Sequence, residues 1–159
     1  MRTLREYRKE LLGDQYETNN IGTLLEERRK SMVREYSNMG FNWQSVLRLK
    51  NNQNYNESQT RVYNNKMSID YVDRVMDKLV KRKAVDVAVA FIEQDNYHNN
   101  HLHFAWRSQA VCTRQQVANA MRTHLYNLRD VLPIQGELKA IEYFTKRVGK
   151  TGFYSNIYA

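Results

Sequence analysis

A histidine pair, a nearby carboxylate and a tyrosine set among cations are the residues of this sequence whose types and spacing could do chemistry together. In His101-Leu102-His103 one residue separates two imidazoles. A β-strand sends alternate side chains to the same face, so both rings would point one way and Leu102 back into the core. Two neutral imidazoles so placed can grip one divalent cation. An ordinary strand with two half-exposed histidines carries the same pattern, and His-x-His alone does not separate the two readings. Glu93 ends the apolar run before the histidines, and opposite His101 in a hairpin it would put two nitrogens and a carboxylate on one face. That donor set leaves coordination positions open and suits Mg²⁺ or Mn²⁺ with phosphate oxygens alongside. A one-residue slip would turn Glu93 to the other face. His98, in the intervening turn, is a competing ligand on a less rigid support.

The second half of the chemistry lies near the end of the chain. Between Glu137 and Lys150, Leu138, Ile141, Phe144 and Val148 form an apolar stripe at helical spacing. Tyr143, Lys146, Arg147 and Lys150 fall on the opposite face, because offsets of three, four and seven stack along a helix. Positive neighbours favour a phenolate, and a phenolate beside a metal-bound phosphate is a nucleophile. A plain surface tyrosine on a basic helix has the same neighbours. Tyr126, near Arg122 and Arg129, is the competing nucleophile, while Tyr154 and Tyr158 lie in a stretch expected to be a mobile tail. Gly149-Lys150-Thr151 is not a phosphate-binding loop, since position 144 holds Phe144 where that motif needs glycine and the helix comes before rather than after.

The elements that must position these residues alternate between helical and strand periodicity. Helices are expected from Leu4 to Leu12 and from Ile21 towards Gly40, making residues 1–40 an N-terminal helical extension. Phe41 to Lys50 alternates as a half-buried strand, with Phe41, Trp43, Leu47 and Leu49 on one face. Residues 51–66 hold six asparagines and no apolar period, which reads as a long loop. A helix from Asp70 to Arg82 follows, and then Ala84 to Ile92, a nearly continuous apolar run fit for a central strand. After the turn comes the histidine strand, completing a hairpin. Thr113 is an expected N-cap for a helix from Arg114 to about Leu128. Pro133 places a short strand at 130–135 at a sheet edge or at a strand start, and Glu137 to Lys150 is the final helix. The order predicts an α+β fold with a mainly antiparallel central sheet and flanking helices, residues 41–159 forming one unit.

Bulk composition limits the partners. The 159 residues suit one domain with a core of its own. The net charge of +8 favours a polyanion. A single cysteine, Cys112, rules out an internal disulfide and, with no long apolar run and no apolar signal core, points to a soluble cytoplasmic protein away from membranes.

In order and spacing these motifs resemble the HUH endonucleases, the replication initiators of rolling-circle plasmids and phages. The family's His-hydrophobic-His strand matches His101-Leu102-His103, its acidic third ligand Glu93, and its Tyr-x-x-Lys helix Tyr143-Phe144-Thr145-Lys146, with Lys150 as a further lysine. The resemblance spans about residues 41–152. The first-motif strand lacks the family's usual threonines, and Arg147 stands where many relatives have an aromatic. The resemblance implies an enzyme that nicks and joins single-stranded DNA. His101, His103 and Glu93 would hold Mg²⁺ or Mn²⁺; Tyr143 would form a 5′-phosphotyrosine link with Lys146 assisting. Arg147 and Lys150 would bind flanking backbone. It further implies replication of a phage or plasmid in a prokaryotic cytoplasm, with a host helicase as partner. The competing expectation is a Rep-like fold without catalysis, serving as a DNA-binding or partner-binding module.

Overall fold

The computed structural model describes residues 21–49, 67–82, 85–94, 100–150 and 153–159. In chain order the elements are α1 (Ile21–Tyr36), β1 (Trp43–Leu47), α2 (Ile69–Val80), β2 (Val85–Gln94), β3 (Asn100–Ser108), α3 (Arg114–Met121), β4 (Leu132–Pro133), α4 (Glu137–Phe144) and β5 (Tyr154–Tyr158). The helix expected at Leu4–Leu12, the asparagine-rich loop and His98 lie outside the described residues. The strands form one sheet in the order β4-β1-β3-β2-β5, and every pairing is antiparallel. This is the α+β class that the sequence indicated. Among the described residues no helix is long and apolar enough to cross a membrane.

Alternation along the strands sorts their side chains into two layers. On one face, Ala88, Ala90, Ile92, Leu102, Phe104 and Trp106 pack with Val72, Val75, Met76 and Leu79 of α2 and Val117 and Met121 of α3. On the other, Val87, Val89, Phe91 and Ala105 pack with Tyr36 at the end of α1 and with Ile141 and Phe144 of α4. Each large side chain so buried contributes about 1.5–3 kcal/mol relative to exposure. The sheet is therefore covered on both sides. That explains why β2 reads as an unbroken apolar run rather than an alternating one.

Local chemistry sets the ends of several elements. The Ser68 hydroxyl accepts from the Tyr71 amide at 3.1 Å and starts α2. Thr113 and Gln116 form a reciprocal capping box at the start of α3, at the predicted position. Pro133 sits in the two-residue edge strand β4, where a missing amide costs no ladder bond.

Four expectations need correction. The helix predicted to reach Leu128 stops at Met121, because Arg122 takes the left-handed conformation (φ 53°) and the Thr123 amide turns back to Ala118. Leu125 continues the apolar period inside a separate 3₁₀ turn, Leu125–Asn127. The final helix ends at Phe144 rather than Lys150; the buried Thr145 hydroxyl donates to the Ile141 carbonyl, and residues 145–150 continue as turns. The supposed tail is strand β5, paired with β2 from Ala88↔Tyr158 to Ile92↔Tyr154. Phe41 does not share a face with Trp43 and Leu47. Gly40 at φ +79° re-aims the chain before β1, and Phe41 joins the core on the opposite side of the sheet.

Candidate metal centre and adjoining cleft

The central strand and its neighbour build the site. β3 is third of five, held by β1 on one side and β2 on the other, so its register is fixed from both edges. Glu93 pairs with His101 and Phe91 with His103. This is the register that puts Glu93 and both histidines on one face, and it turns Leu102 into the α2/α3 core with no exposed surface. The three polar side chains are buried, at 2% for Glu93, 7% for His101 and 6% for His103.

Their donor atoms converge. His101 Nε2 lies 3.2 Å from Glu93 Oε2 and 3.1 Å from His103 Nε2, and His103 Nε2 lies 3.5 Å from the same carboxylate oxygen. An ion bound about 2.1 Å from each of three donors separates them by about 3.0 Å at right angles and about 3.4 Å at tetrahedral angles. The observed triangle lies close to that range, so Glu93, His101 and His103 could hold one metal ion. Among the described residues this is the only such group of three. Both Nδ1 atoms are buried without a hydrogen-bond partner. Metal-binding histidines usually donate from that second nitrogen, and lacking such a partner typically weakens binding by about 10- to 100-fold.

A lysine completes the cluster. Lys146 Nζ donates to both Glu93 oxygens, at 3.1 and 3.2 Å, and sits 3.7 Å from the centroid of the Tyr143 ring. Burial would push the Glu93 carboxyl up, but hydrogen bonds from His101, His103 and Lys146 outweigh it and hold the group well below the usual carboxylate range. Burial pushes the His103 imidazole down, as do the nearby His101 and Lys146, against the pull of Glu93. His103 is therefore a neutral donor at pH 7, the state a metal ligand needs.

Tyr143 borders this group. Its ring meets His103 edge-on at 5.7 Å between centroids, and the residue is 56% exposed. Lys146 lies in the turns just past the end of α4 and reaches Glu93 from there. Arg147 is half-buried and Lys150 exposed in the turns beyond, and neither makes a side-chain contact with the metal cluster. The structure thus brings together Glu93, His101, His103, Tyr143 and Lys146, and leaves Arg147 and Lys150 outside. Tyr126 is elsewhere, stacked on His124 at 5.1 Å.

From His103 and Tyr143 a cleft of about 420 Å³ opens along β1, with Val46 and Arg48 on its floor and Arg129 and Asp130 on its far wall. Sequence reasoning did not single out Arg48 or Arg129 as functional. Arg48 alternates with the buried Leu47, which was a signal for its face, but only the pairing of β1 with β3 sets it beside the histidines. No protein-family model matches this chain, and no curated protein or solved structure matches it.

Proposed function

We propose that the protein is a metal-dependent endonuclease of the HUH type that nicks and rejoins single-stranded DNA through Tyr143. The observation that carries this reading is the shared position of Lys146, in contact with the carboxylate of a three-donor cluster and with the face of the exposed Tyr143 ring beside it. Mg²⁺ or Mn²⁺ bound there would polarise the scissile phosphate and offset its charge. The Tyr143 oxygen attacks phosphorus; the new bond is tyrosine O–P, the broken one is P–O3′, and the proton lost by the phenol ends on the released 3′-hydroxyl. The reverse attack by that hydroxyl rejoins the strand. Lys146 supplies positive charge at the tyrosine, and Arg147 and Lys150 bind flanking backbone. The net charge of +8 suits the polyanionic substrate. Replication initiation for a phage or plasmid, in a prokaryotic cytoplasm and alongside a host helicase, is the role that accords with this chemistry.

One observation favours a second reading, a DNA-binding or partner-binding module without catalysis. The Lys146 ammonium already neutralises Glu93, so the carboxylate is paired without a metal ion, as in an ordinary ion-paired network. Incubation with single-stranded DNA and Mn²⁺ separates the two. The nuclease reading expects a covalent protein–DNA adduct mapping to Tyr143 by mass spectrometry, abolished in Tyr143→Phe while fold and metal affinity persist. Absence of adduct with every strand tried, or an adduct on Tyr126, would refute it.

A further inference from the structure

We propose that the cleft along β1 is the seat of the DNA strand's sugar–phosphate backbone, with Arg48 and Arg129 as its phosphate anchors; the identity of the strand rests on the nuclease reading above. Residues 127–129 run beside β1 as a further antiparallel pairing. The Arg129 amide donates to Val46 O at 2.8 Å, the Arg48 amide to Asn127 O at 2.9 Å, and the Ser45 hydroxyl to Arg129 O at 2.9 Å. Leu47 and Leu128 bridge opposite each other and are both buried in the α2/α3 core. Their chain neighbours Arg48 and Arg129 must therefore turn to the other face, the one that carries His103. The two arginines belong to diagonal positions beside this bridge, about 7–8 Å apart at the backbone, and the amide of each donates to a carbonyl across it.

The cleft's chemistry fits one occupant. Among the described lining residues two guanidiniums accompany one carboxylate, that of Asp130, and Val46 and the half-exposed Leu132 give the cleft apolar wall. Guanidinium forks match phosphate oxygens, while apolar and aromatic surface takes bases in any sequence. A volume of about 420 Å³ is that of a small-molecule site. It admits a nucleotide or two of a single strand and excludes a duplex. The cleft ends at His103 and Tyr143, so a strand lying in it delivers its next phosphate to the cluster.

The test is fluorescence anisotropy with a labelled oligothymidylate, without divalent ions so that no cleavage intervenes, across a range of salt. Wild type is compared with Arg48→Gln/Arg129→Gln and with a control of equal charge loss across the sheet, Arg74→Gln on α2 with Lys81→Gln at its C-cap. The cleft pair is expected to lose affinity at least about tenfold beyond the control and to flatten the log–log salt slope by about 1.4, two phosphates at about 0.7 each. The single variant Arg129→Gln, at an exposed side chain, guards against misfolding and should lose about half of that slope. Equal behaviour of cleft and control variants, or no binding of the strand by wild type, overturns the proposal. Loss confined to the cleft variants, in a protein that forms no adduct with Mn²⁺, upholds the cleft and refutes the nuclease instead.

Discussion

Replacing Lys146 with methionine keeps the bulk of the side chain and removes the ammonium from Glu93. Two opposed changes follow. Hydrogen bonds to buried charged groups contribute about 1.5–3 kcal/mol, whereas exposed ion pairs contribute about 0–1 kcal/mol. The Lys146 side chain is 34% exposed and its partner 2%, so the contact is worth about 1–2 kcal/mol after allowance for solvent screening. The metal-free protein should lose that amount, lowering its melting temperature by about 2–8 °C. A divalent ion needs the same carboxylate and must disengage or repel the ammonium, so Mn²⁺ should bind Lys146→Met about 5- to 30-fold more tightly than wild type. Calorimetric titration at neutral pH reads the affinity, and thermal melting with and without Mn²⁺ reads the stability. An affinity that falls in Lys146→Met would refute the reasoning, because it would mean that the lysine orders the carboxylate for the ion rather than competing with it. An unchanged affinity would refute it equally.

His103→Ala should remove most Mn²⁺ binding by calorimetry and also cost about 1–3 kcal/mol in denaturant unfolding, because the ring is buried against Phe144 at 5.4 Å between centroids. Mn²⁺ affinity should be level from about pH 8 to the ordinary imidazole value of about 6.5 and fall below it, since burial holds the folded His103 neutral until lower pH. Stability should fall with acid for the same reason and for a second. The folded His103 value lies below the unfolded one, so stability is lost as pH drops below about 6.5 towards the folded value; Glu93, also held low, loses its share from about pH 4.5 downwards. Acid unfolding that begins well above pH 6.5 would contradict both assignments. Gly149→Ala should destabilise by about 1–2 kcal/mol in the same measurement, because Gly149 has φ +82° and an added Cβ would meet Leu25 of α1 at 2.8 Å.

Much of the site was legible because it depends on local periodicity. Alternation set His101 and His103 on one face, and a hairpin with a short connection brought Glu93 opposite, so two neighbouring strands carry all three donors. The positions of Thr113 and Pro133 were legible because a missing or competing amide partner acts within a few residues. What was not legible depends on contacts between distant segments. The stripe Leu138, Ile141, Phe144 and Val148 satisfied a continuous helix, and nothing in its spacing signals that Thr145 closes the last turn and sends Lys146 to Glu93, 53 residues away. The C-terminal strand reads as polar and short, and it becomes ordered only because β2 offers an edge and because the Tyr158 hydroxyl donates to Asp73 at 2.6 Å. The Arg48–Arg129 arrangement likewise exists only once residues 127–129 pair with β1.

The chain also contains its own optical reporter. Its two tryptophans, Trp43 and Trp106, are direct partners across β1 and β3. Both face the α2/α3 core, Trp106 with no exposed surface and stacked on Phe104 at 5.3 Å, its indole N–H on the Cys112 sulfur at 3.4 Å. Tryptophan emission therefore records whether the central strand is in place, from the side of the sheet opposite the metal cluster. A thiol in contact with an indole is a quencher, so denaturation should brighten Trp106 as it separates from Cys112. Changes in ligand at the histidines, or chemistry at Tyr143, can then be told apart from loss of the scaffold by wavelength alone.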